Sequence, residues 1–107
     1  QKDVFLNIAG GLKENDPAID LAVISAILSS SLDISIEPGI SMCGEVGLSG
    51  EIRPVNRIEQ RILEAEKLGF SRIIIPHNNL KGFDTSKCKM QIVQVRKVEE
   101  AFRQLFG

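Results

Sequence analysis

Residues 16–31, DPAIDLAVISAILSSS, constrain this chain more than any other stretch. Asp16 offers a capping oxygen, and Pro17 suits the first helical position, where its missing N–H costs nothing. Ala18, Ile19, Leu21, Ala22, Val23, Ile24, Ala26, Ile27 and Leu28 then leave almost no polar face, with Asp20 the only charge in the helix body. A helix apolar nearly all round belongs in a core and is expected to be covered on several sides. The run is far below the ~20 residues a bilayer requires. It predicts a core helix.

The rest of the chain reads as elements to cover that helix. Residues 3–9, DVFLNIA, alternate like a strand that Gly10-Gly11 ends. Lys13-Glu14-Asn15 is a polar loop, and Pro38-Gly39 marks a turn. Residues 40–55, ISMCGEVGLSGEIRPV, predict a hairpin turning at Ser49-Gly50, with Pro54 limiting the second strand. Asn56 is expected to cap a second helix, with Glu59 three residues on as in a capping box. Ile58, Ile62, Ala65 and Leu68 give that helix one stripe, and Gly69 suits its C-terminal end. Residues 70–76 hold the run Ile73-Ile74-Ile75, typical of a strand buried on both faces. A polar loop over 78–89, a strand over 90–95 and an amphipathic helix over 98–106 complete the chain. Alternating strands and helices imply a sheet with helices packed on it.

At 107 residues this is one domain, with no repeat or linker to divide it. The chain opens at Gln1 and runs almost straight into a strand, as a fragment of something longer would. Cys43 and Cys88 have no CxxC spacing, so free thiols in a reducing, cytoplasmic setting are expected, a single disulfide being the alternative. Net charge conceals an asymmetry. Residues 1–51 carry two basic and eight acidic groups, a net of −6, while residues 52–107 carry eleven and six, a net of +5. Solvated helix faces explain this, or a basic surface that meets nucleic acid or an acidic neighbouring subunit.

Candidate chemistry is thin. His77 is the sole histidine, so no metal site is expected. Gly10-Gly11-Leu12-Lys13 lacks P-loop spacing, and Ser29, Ser30 and Ser31 end a helix as caps rather than nucleophiles. Arg57 and Arg61 share a helix face with Arg53 just before it, and the three form a candidate DNA-binding ridge. Ion pairs with Glu64 and its neighbours are the competing use of those arginines.

One set of motifs goes further. Residues 15–20 (NDPAID), 44–55 (GEVGLSGEIRPV), Gly69-Phe70 and Ile75-Pro76 resemble the Lon-type peptidase domain. The divergent copy at the C-terminus of RadA/Sms-type bacterial recombination proteins is the nearer likeness. The resemblance spans nearly the whole chain. It implies an α+β fold related to the second domain of ribosomal protein S5, here expected to lack its N-terminal strands and helix.

It also implies a test of catalysis. Lon-type peptidases pair a serine nucleophile at the start of the core helix with a lysine base on the second helix. Ala18 and Arg61 stand at those positions. Alanine has no nucleophile, and arginine stays protonated at any working pH. Ser25 lies about 10 Å further along its helix and Lys67 about 9 Å, at ~1.5 Å per residue, so neither is a substitute. The resemblance therefore implies a non-catalytic scaffold and DNA-contacting domain of a protein that forms a homo-oligomeric ring, expected to be a hexamer, on DNA. An active ATP-dependent peptidase domain is the alternative. ATP, magnesium and zinc are expected only of the parent protein's other domains, with no membrane partner. The fragment itself is expected to self-associate, with the strand over 3–9 pairing between copies.

Overall fold

The computed structural model of the chain describes residues 17–80 and 82–106. The strand expected over 3–9, the Gly10-Gly11 bend, the polar loop after it and the Asp16 cap lie outside the described residues.

Pro17–Ile19 form a single 3-10 turn, and the core helix α1 follows over Asp20–Leu32. Ile19 precedes it with no side-chain cap, so the helix starts later than the sequence predicts. The helix is a core element, as expected, but its burial does not follow its apolar pattern. Ile19, Ile27 and Leu32 are exposed, while Asp20 and Ser25 are fully buried. Asp20 tolerates burial because its Oδ2 accepts the Val46 N–H at 3.1 Å, which ties the helix to the following hairpin. Ser25 Oγ has no hydrogen-bond partner among the described residues. At the far end Asp33 takes a left-handed conformation, and Ser29 Oγ donates to the Ile34 carbonyl.

Strands β1 (Ile40–Met42), β4 (Arg72–Pro76) and β5 (Gln91–Val95) form a parallel sheet in the order β1-β4-β5. The register pairs Ser41 with Ile73 and Ile74 with Val93. Between β1 and β4 the chain makes an antiparallel hairpin of β2 (Glu45–Val46) and β3 (Ile52–Arg53), then helix α2 (Ile58–Lys67). The predicted hairpin over 40–55 was thus too long. Its first three residues belong to the parallel sheet, and the chain changes sheets at Cys43-Gly44. Helix α3 (Val98–Phe106) closes the described chain where the sequence predicts it.

The isoleucine run of β4 divides two cores, as strict alternation along a strand requires. Ile74 faces Leu21 and Ile24 of α1 with Ala101 and Leu105 of α3. Ile73 and Ile75 face Ile58, Ile62 and Ala65 of α2. The result is a mixed α/β architecture with helices on both faces of a parallel sheet.

Two glycines fix the crossing of helix and hairpin. Gly44 donates to the Ala18 carbonyl (2.9 Å) and accepts from the Leu21 N–H (3.1 Å), and a Cβ there would lie 2.8 Å from Ile52 Cγ2. Gly50, at φ +86°, supplies the left-handed residue of the hairpin turn. The hairpin is held against the far edge of the sheet, where Ile52 N–H donates to Arg96 (2.8 Å) and Val98 N–H to Gly50 (3.0 Å).

Candidate functional site

The 3-10 turn leading into α1 and the face of α2 line a cleft of about 500 Å³. Ala18 and Ile19 form one wall, Arg57, Gln60, Arg61, Glu64 and Leu68 the other, and Ser41, Met42 and Cys43 part of the floor. The two positions singled out by the Lon resemblance, Ala18 and Arg61, therefore line one cavity. They are 43 residues apart, and the Gly44 crossing with the packing of Ile58 and Ile62 brings their elements together.

Arg61 is tethered: its Nε donates to the Asn56 carbonyl at 2.9 Å and its guanidinium to Asn56 Oδ1 at 3.1 Å. The expected capping role of Asn56 is corrected by this. Arg57, not Asn56, is the N-cap residue, left-handed at φ 57° and with no side-chain cap bond. Asn56 spends its side-chain oxygen on the arginine one turn into the helix. Leu68, assigned to the buried stripe, is 67% exposed and sits at the end of the helix beside the cleft.

The floor carries two groups that sequence reasoning did not assign to the site, Ser41 of β1 and Cys43 just after it. Their two-residue spacing within the predicted strand was the available signal. Neither is activated. Burial pushes the Cys43 thiol up to about 11, against which the charge of Arg61 acts only partly. For Ser41, the described lining residues include no lysine or histidine to take its proton. Ser25 is buried within the core and does not line the cleft.

The three arginines of the candidate ridge part company. Arg53 turns to the hairpin, 2.7 Å from Glu51 and 3.6 Å from Glu45. That hydrogen bond holds the Glu51 carboxyl below the usual carboxylate range. Arg57 and Arg61 both line the cleft, and among the described residues neither forms an ion pair with Glu64. Arg61 rests on the neutral oxygens of Asn56.

Elsewhere, His77 Nε2 lies 2.9 Å from the Arg96 guanidinium. Arginine only donates, so the histidine nitrogen is the acceptor in that contact. No group of three or more metal-ligating side chains occurs among the described residues, and no helix there is long and apolar enough to cross a membrane. Cys43 and Cys88 are free thiols. Asn79 lies in the polar loop after β4, as expected, and is buried there. Its side-chain amide accepts from the Val55 N–H (2.8 Å) and donates to the Val55 carbonyl (3.1 Å), pairing as a strand would.

Comparison with known proteins identifies the family. The family described as Lon protease (S16) C-terminal proteolytic domain matches residues 1–107. The protein named DNA repair protein RadA of Bacillus subtilis is 48% identical over 99% of this chain, which covers 23% of that protein. Its namesake in Streptococcus pneumoniae is 49% identical over 99% of this chain and 25% of its own length. The RadA protein of Halalkalibacterium halodurans is 42% identical over the same 99%, again 23% of its length. The chain thus spans about a quarter of the relatives it matches. The whole-chain match, and a cleft with Ala18 and Arg61 on facing elements, lead to one conclusion: the chain belongs to the family of Lon protease C-terminal domains and is similar to that domain in RadA proteins.

Proposed function

We propose that this domain is a non-catalytic Lon-type module that helps assemble a RadA-type DNA repair protein and adds phosphate contacts to DNA. The cleft carries the reading. A hydroxyl and a titratable base must meet there for peptide hydrolysis, and Ala18 and Arg61 stand where the resemblance places them. Ser41 and Cys43 are the remaining nucleophiles on the floor, the first with no lysine or histidine among the described lining residues and the second held as a thiol. The reading extends to an S5-domain-2-like fold, to a cytoplasmic setting, and to ATP, magnesium and zinc held by other domains of a DNA-dependent ATPase.

Casein or a labelled peptide incubated with the chain is expected to stay intact, and Ala18→Ser alone is expected to leave it so, because no general base is restored. Turnover that co-purifies with the chain and disappears on substituting a cleft residue would replace this reading with an active peptidase.

DNA contact is expected to be sequence-independent and steeply salt-dependent. With no tryptophan or tyrosine, base stacking contributes little. Arg57, free of ion pairs among the described residues, is expected to contribute more than Arg53, whose charge two carboxylates already offset. Arg57→Ala should lower the slope of log K against log salt by about 0.9, and Arg53→Ala by less. Binding isotherms on labelled duplex at several salt concentrations test this, and equal slopes for all three proteins would remove the ridge from the DNA surface.

A further inference from the structure

We propose that the hairpin tip of one copy seats Leu48 in the cleft between α1 and α2 of the next copy. This rests on reading the domain as an assembly module and names the contact through which it assembles. Leu48 occupies a turn position between Gly47 and Gly50, where glycine, asparagine, aspartate or serine is the usual choice, and is half exposed. The cleft offers the apolar counterpart, with Ile19 43% and Leu68 67% exposed at its walls.

Charge favours the same pairing. Behind the tip, Glu45 and Glu51 share the single Arg53, leaving one negative charge. Along the cleft, Arg57 and Arg61 outnumber Glu64, leaving one positive charge. A molecule does not seat its own tip. The hairpin is bonded to Arg96 and Val98 beside β5, whereas the cleft floor belongs to β1, the opposite edge of the sheet. The contact is therefore heterologous: every copy presents one tip and one cleft, and repetition closes a ring or extends a chain.

Sedimentation equilibrium of the chain, of Leu48→Glu, of Leu68→Glu and of their equimolar mixture tests the contact. Leu63→Glu, exposed but outside both surfaces, is the control. The unaltered chain and the control are expected to associate with rising concentration, and each cleft or tip variant to do so roughly tenfold more weakly or worse. The mixture is expected to stop at dimers, since only one intact tip then meets one intact cleft. Circular dichroism melts confirm that the variants fold. Association of both variants like the unaltered chain would overturn this contact and leave the assembly reading standing, as would a mixture that stays monomeric while the unaltered chain assembles. A monomer at millimolar concentration for the unaltered chain would overturn both.

Discussion

Leu21→Ala is expected to destabilise the domain by about 2–5 kcal/mol, the usual cost of emptying a buried leucine site. Leu21 has no exposed surface and packs with Ile24, Ile74 and the α3 residues Ala101 and Leu105. Little around it is free to collapse into the void. Its backbone is fixed to Gly44, and Ile74 is held in the central strand of the sheet. Small domains have only about 5–15 kcal/mol in total, so the variant should unfold at a much lower urea concentration with an unchanged slope. A loss below about 1 kcal/mol would mean that helix and sheet are not packed through this residue.

Asp20→Ala is expected to cost about 1–3 kcal/mol, by a different route. The carboxylate accepts the Val46 N–H where neither group has access to water, so its removal strands a buried donor. Asp20→Asn keeps a side-chain oxygen and is expected to lose less. Thermal melts of the pair separate the explanations, because equal losses in both variants would assign the effect to the negative charge and not to the hydrogen bond. Hydrogen exchange at the Val46 amide gives a local readout, with protection falling in the alanine variant.

Sequence patterns made much of this fold legible, and the failures have physical causes. Ile73-Ile74-Ile75 announced a strand covered on both faces, and each isoleucine is buried on the side alternation assigns. The α2 stripe held at Ile58, Ile62 and Ala65 but not at Leu68, which falls beyond the last helical turn. The hairpin was overextended because strand-forming residues run unbroken through Cys43. Nothing in composition reveals that the chain leaves one sheet there and enters another. The burial of Asp20 and Asn79 was not legible for a shared reason. Each is buried because backbone groups distant in sequence satisfy it, and no local pattern announces such partners.

The site was legible in part. Motif likeness identified Ala18 and Arg61, and folding placed them on one cavity. Identical charges and even spacing made Arg53, Arg57 and Arg61 look equivalent. What separates them is the hairpin, which brings Glu45 and Glu51 to the first, and the Asn56 oxygens, which take the third. Such pairings depend on the backbone path and are invisible in a list of charges.

The crossing at Gly44 bears on which substitutions at position 18 the fold can accept. Position 18 is gripped through its carbonyl oxygen, and the neighbouring turn through the Leu21 amide. Neither atom depends on which side chain residue 18 carries. Position 18 can therefore gain or lose a side-chain hydroxyl while the scaffold beneath it stays unchanged. The chemistry of the cavity is separable from the backbone bonds that shape it.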